Sequence, residues 1–222
     1  MKTGDSKIFR AQYPGLGGRR IILFLSRIDR KKGLELLIDA FAVVREKRTD
    51  VALVIAGDGE ASYVRELRAR TQDETARRQD NETTGPVVRG PWSSGLSSDV
   101  SWTGHLSGEM KAAALAAADV FVLPSASENF GIAAAESLAA GVPTIVSEEV
   151  ALSSDIRQYD AGVVVKRDVQ ELAAAIDDLL SDRERAASLA SSGRRLAEER
   201  YSSKAVGKAL FELYSKILRT DH

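Results

Sequence analysis

Cysteine is absent from this chain of 222 residues. That excludes a disulfide framework, a thiolate metal site and a thiol nucleophile, and it is compatible with a reducing compartment. Net charge is also missing. With 31 basic residues against 32 acidic ones, no overall field draws the chain to nucleic acid or to an anionic membrane, and any anion site must be local. The first twenty residues lack the apolar core of a signal peptide, and no run approaches the roughly 20 apolar residues that span a bilayer. Neither of the two histidines has a cluster of metal-ligating neighbours at useful spacing, so no metal centre is expected. No internal repeat is visible.

What is present is enough apolar material, 44% of the residues, to bury one core. Short β-branched or apolar runs recur at 21–25, 51–56, 120–123, 143–146 and 162–165, and read as strands buried on both faces. Between them lie helical patterns. Leu34, Leu37, Ile38, Phe41 and Val44 share one face, and Val169, Leu172, Ala173, Ile176 and Leu179 share another. Asp168 with Glu171 makes a capping-box-like start for the second of these helices. Strands alternating with helices predict right-handed βαβ units and a parallel sheet, with ligands at the carboxyl ends of its strands.

Residues 1–20, broken by Pro14, Gly15, Gly17 and Gly18, read as an interdomain strand and linker leading into a domain at 21–222. The polar stretch at 71–98, with Pro86 and Pro91, is expected to extend a helix and then run over the surface as an insertion. An exposed loop is preferred there to one packed down by Trp92. Helices are predicted at about 168–219, and the stripe of Val206, Leu210, Leu213, Tyr214 and Ile217 is assigned to core packing.

Three loops carry candidate chemistry. The first, 26–33, reads Ser-Arg-Ile-Asp-Arg-Lys-Lys-Gly and precedes a helix. Its four cations and the helix N-terminus suit a phosphate, although a solvated basic loop would read the same way. The Walker spacing is absent. The second, Gly57-Asp58-Gly59-Glu60, is a turn whose glycines allow close backbone approach. In the third, Glu128-Asn129-Phe130-Gly131-Ile132 leads into a helix that carries Glu136. A carboxylate there can hold vicinal hydroxyls in a fork, and the helix N–H groups can receive a phosphate. The plainer alternative is that Glu128 caps the helix and Glu136 faces solvent.

Taken in order, Ser-Arg-Ile-Asp-Arg-Lys-Lys-Gly, Ala-Gly-Asp-Gly and Leu-Pro-Ser-Ala-Ser-Glu-Asn-Phe-Gly-Ile-Ala-Ala-Ala-Glu-Ser-Leu-Ala-Ala-Gly-Val-Pro resemble the C-terminal domain of glycosyltransferase family 4, the glycosyl transferases group 1. The match runs from about Arg20 to Leu218. The resemblance implies an α/β fold, a Rossmann-like parallel sheet with helices on both faces, forming one half of a GT-B architecture. It implies that Arg27 and Lys32 bind the donor diphosphate and stabilise its growing charge, that Glu128 lies near the transferred sugar, and that Glu136 holds the ribose hydroxyls. The backbone of Asn129, Phe130, Gly131 and Ile132 would meet sugar and phosphate. Gly57, Asp58 and Gly59 would line the donor site, and Gly104 and His105 the nucleobase pocket, with His105 contributing backbone rather than a catalytic imidazole.

The same resemblance implies a retaining hexosyl transfer from a UDP-, GDP- or ADP-linked sugar to a glycan, lipid or small-molecule acceptor, with neither metal nor cofactor. The alternative is a non-catalytic module that binds a nucleotide sugar or sugar phosphate. An N-terminal acceptor-binding half, missing from this chain, is expected from the same resemblance, with truncation preferred to a natural single-domain subunit. The expected location is the cytoplasm, or the inner face of a membrane for the full-length protein. The 71–98 stretch departs from the commoner, shorter family pattern.

Overall fold

A computed structural model describes residues 5–72 and 96–220. Six strands, β1 (Arg20–Leu25), β2 (Val51–Ala56), β3 (Val100–Gly104), β4 (Val120–Leu123), β5 (Thr144–Ser147) and β6 (Val163–Val165), form one sheet in the order β3-β2-β1-β4-β5-β6. All neighbours pair in parallel. β2, β4 and β5 are buried along their whole length, because helices cover both faces of the sheet; that burial is why they read as unbroken apolar runs. Strand order reverses between β1 and β4, where an open parallel sheet leaves a crevice at its carboxyl edge.

The helices are α1 (Ser6–Gln12), α2 (Leu34–Lys47), α3 (Ala61–Thr71), α4 (Gly108–Ala117), α5 (Ile132–Ala140), α6 (Ser153–Tyr159), α7 (Val169–Ser181), α8 (Arg183–Leu196) and α9 (Ser203–Thr220). α2 packs against α7, α1 against α4, and α5 against α8. The predicted α2 face is buried at all five positions. Asp168 caps α7 by accepting from the amides of Gln170 and Glu171, each at 2.9 Å. The return arm of the box is displaced: Glu171 accepts from Lys166 N at 3.0 Å rather than from its own cap.

Three features differ from the sequence reading. The segment before β1 is helical where a strand was expected: Asp5 caps α1, Phe9 and Leu16 are fully buried, and Arg10 donates to the carbonyls of Gly17 and Arg19. A single buried residue, Phe9, in a helix of seven residues is too little periodicity to announce it. β3 has no apolar run to mark it, because only Val100 is buried and Ser101, Trp102 and Thr103 are half-buried on the edge strand. The stripe on α9 is not core: Val206, Leu210, Leu213, Tyr214 and Ile217 are 44% to 62% exposed. Most of the 71–98 insertion, including Trp92, lies outside the described residues. Its flanks are in place: Thr71 closes α3, and Asp99, nearly buried, accepts from Arg19 at 2.6 Å and Arg45 at 2.8 Å before β3 begins.

Candidate functional site

The crevice between β1 and β4 is walled by the cationic loop on one side and the glutamate loop on the other, and their backbones are joined. Ala126 N donates to Lys31 O at 2.6 Å. A Cβ at Gly33, which has φ +69°, would stand 2.2 Å from Pro124 O, so only glycine fits where the loops cross. Asp29 organises the first loop by accepting from Lys31 N at 2.9 Å. That hydrogen bond, with the charges of Arg27, Lys31 and Lys32, holds the Asp29 carboxyl below the usual carboxylate range.

The four cations of this loop separate. Arg30 turns outward, bonding Glu66 at 2.8 Å and lying 4.5 Å over the Tyr63 ring. Arg27 is 76% exposed and meets Asp29 at 3.7 Å. Lys32 turns into the crevice, where its ammonium pairs with Glu128; the two side chains are 15% and 19% exposed. Across the crevice, Glu128 does not cap α5. Gly131, in the left-handed region at φ 89°, occupies the cap position, and no side chain bonds the first turn. The amides at the start of α5 are therefore open to an anion. Glu136 is not free in solvent either: Lys111, on α4, bonds its Oε1 at 2.5 Å. Phe130 leans edge-on against Tyr201 at 5.2 Å, and the Tyr201 hydroxyl donates to Asp155. Tyr201 lies in a π-helical turn, Ala197–Tyr201, between α8 and α9.

The turn after β2 has a structural reason for its glycines that the sequence left open. A Cβ at Gly57 would lie 1.9 Å from Ser26 O, and one at Gly59 would lie 2.1 Å from Ile28 O. Their lack of a side chain thus serves the close approach of two loops. Gly57, Asp58, Gly59 and Gly104 border a cavity of about 370 Å³ that also takes in Trp102 and Arg68. The Arg68 guanidinium lies 5.2 Å from the Trp102 ring. His105 is exposed at the end of β3. The structure thus places the candidate residues in two adjoining groups. Lys32, Glu128 and Gly131 stand together at the β1/β4 crevice, with Glu136 further along α5 and paired to Lys111, and Gly57 to Gly59 with Gly104 line the cavity at the ends of β2 and β3. Asn129, Phe130 and Ile132 are exposed on the α5 approach. The described residues contain no group of three or more His, Cys, Asp or Glu arranged to hold a metal, and none of their helices is long and apolar enough to cross a membrane.

Lys111 and Tyr201 were not singled out from the sequence. A lone lysine opening the alanine-rich 112–118 stretch was the available signal for the first. No local signal marks the second, because its contacts are 46 and 71 positions away in sequence.

A parallel sheet in this order, with helices on both faces and a switch point between β1 and β4, defines a Rossmann-like α/β domain. The chain belongs to the glycosyl transferases group 1, whose family profile matches residues 19–182. It is 30% identical over 219 residues to the GDP-mannose-dependent alpha-(1-6)-phosphatidylinositol monomannoside mannosyltransferase of Mycolicibacterium smegmatis, covering 95% of this chain and 52% of that one. Among solved structures it resembles sucrose-phosphate synthase from Thermosynechococcus elongatus, with TM-score 0.73, 26% identity, and 98% and 50% of the two chains covered. It also resembles Anabaena HepE in complex with UDP-glucose, with TM-score 0.75, 24% identity, and 96% and 52% covered. The chain spans about half the length of the relatives it matches.

Proposed function

We propose that this chain is the donor-binding half of a retaining glycosyltransferase of GT-B architecture, taking a hexose from a nucleoside diphosphate sugar. The observation that carries the reading is the crevice between β1 and β4, where Lys32, Glu128 and the uncapped N-terminus of α5 meet. Cations and helix amides there suit a diphosphate, and carboxylates suit hydroxyls. In this reading Arg27 and Lys32 take the diphosphate and the charge that grows on it, doing work that a metal ion would otherwise do. Glu128 then leaves Lys32 for the sugar, Glu136 accepts from the ribose, and the backbone of 129–132 meets sugar and phosphate. Gly104 and His105 border the base.

The named relative uses GDP-mannose and the Anabaena protein was solved with UDP-glucose, so the nucleobase is chosen by experiment. In a thermal-shift panel of uridine, guanosine and adenosine diphosphates and their sugars, a ligand at a hundred times its Kd adds about 2.7 kcal/mol, a shift of several degrees. Glu136→Ala should weaken a ribonucleoside diphosphate and spare its 2′,3′-dideoxy counterpart. A chain that no diphosphate stabilises would sink the reading.

The acceptor wall is assigned to the remaining half of a full-length protein. The exposed apolar stripe of α9 supports a covering partner of that kind.

A further inference from the structure

Each member of the pair between α4 and α5 stands out in its own helix. Lys111 is the only basic residue of α4, which otherwise runs Gly-Glu-Met before it and alanine and leucine after it. Glu136 is the only charged residue of α5. Their contact is a single one: Lys111 Nζ bonds Oε1 at 2.5 Å, and Oε2 has no partner among the described residues. Both side chains are partly covered, 30% and 25% exposed, so their attraction is less screened than that of a surface pair. The placement of Lys111 gains nothing from its own helix, since a cation at the end of the first turn opposes the helix dipole.

The geometry points to Lys111 as a positioning residue of the donor site. It holds Glu136 by one carboxylate oxygen, leaving the other aimed for a ribose hydroxyl, and it offsets the glutamate's charge so that an anionic diphosphate can bind nearby. This rests on the donor-site reading of Glu136. The physical need is specific to that reading. A carboxylate is the strongest neutral-pH acceptor for vicinal hydroxyls, yet it repels the diphosphate attached to the same ribose. A lysine that neutralises it without occupying both oxygens keeps the first property and removes the second.

The consequence is a reversal of sign between two backgrounds. With Lys111 present, Glu136→Gln should weaken binding, because a charged acceptor is replaced by a neutral one. With Lys111→Met, Glu136 becomes an uncompensated, partly covered carboxylate next to the diphosphate, and Glu136→Gln should then strengthen binding. The experiment is calorimetry on the four chains of this cycle, plus Lys111→Arg, with uridine, guanosine and adenosine diphosphates and their 2′,3′-dideoxy analogues.

We expect Lys111→Met to weaken the best-binding diphosphate about tenfold, the scale of one charge-assisted hydrogen bond. Lys111→Arg should stay within about threefold, since it keeps the charge and the donor. Losses that simply add across the cycle would overturn the positioning role and leave Lys111 as an independent contact. A lowered melting temperature with unchanged affinities would overturn it in favour of a strut between the two helices. Failure of the underlying reading looks different: the wild type then binds none of the uridine, guanosine and adenosine diphosphates, or Glu136→Gln in the wild-type background weakens ribo and dideoxyribo compounds equally.

Discussion

Lys32 and Glu128 neutralise one another in a crevice that leaves them less than a fifth exposed, so removing either strands a partly covered charge. Lys32→Ala should lower stability by about 1 to 2 kcal/mol, less than the 3 to 5 kcal/mol of a fully buried pair, and Lys32→Ala with Glu128→Gln should recover most of it. Diphosphate affinity should stay low in both variants. Chemical denaturation beside calorimetry separates the two effects, and a double variant that regained binding would remove Lys32 from the phosphate site. Two tyrosines give a pH signature. Burial pushes the Tyr63 and Tyr201 phenols well up, the Glu35 carboxylate adding at Tyr63 and the hydrogen bond to Asp155 at Tyr201. Because the folded state holds the proton more tightly, their contribution is complete below the unfolded value near 10 and is lost as pH rises past it. Of the five tyrosines, these two should ionise only with alkaline unfolding. An ultraviolet titration in which all five ionise together near 10 in folded protein would contradict the burial argument.

At the scale of elements, α9 separates helical periodicity from core membership. Its apolar residues recur at 206, 210, 213, 214 and 217, yet all are substantially exposed, because nothing among the described residues packs over them. Leu210→Ser with Tyr214→Ser should therefore change the melting temperature of this chain by no more than about 2 °C, since exposed substitutions fall within about ±0.5 kcal/mol. A loss of several kcal/mol would mean that the stripe is covered after all. β3 makes the opposite point. It is a genuine strand, paired to β2 through Leu53, Val54 and Ile55, but an edge position leaves its residues half-buried and removes the apolar run that exposed its neighbours to recognition. α1 escaped for a related reason, since Phe9 alone supplies its fully buried anchor.

For the whole molecule, the chain's length relative to its relatives matters most, since it spans about half of each. Group transfer gains rate by holding two reactants in near-attack geometry and excluding water, and one wall of a cleft does neither. We expect the 222-residue chain to bind a nucleotide sugar, to hydrolyse it slowly at most, and to transfer to no acceptor until a separately expressed N-terminal half is added. The assay incubates the best-binding donor with a broad acceptor panel with and without that half. Efficient transfer by the chain alone would overturn the half-enzyme reading.

The sequence by itself determined the alternation of strands and helices, and with it the parallel sheet, because runs buried on both faces and helices with one apolar face announce themselves within a dozen residues. It also determined which loops lie at strand ends, and so where Arg27, Lys32 and Glu128 fall along the chain, with Glu136 on the helix that follows. Only the tertiary structure decided how they are used. Arg30 left the crevice for Glu66, Lys32 found Glu128 across 96 positions, and Glu136 found Lys111 across 25. The same holds for the glycines at 57 and 59, whose reason is a neighbouring loop, and for α9, whose apolar face has no cover. Local pattern is set by chain period and burial, whereas the partner of a charge or of an apolar face depends on which segments the sheet order brings together.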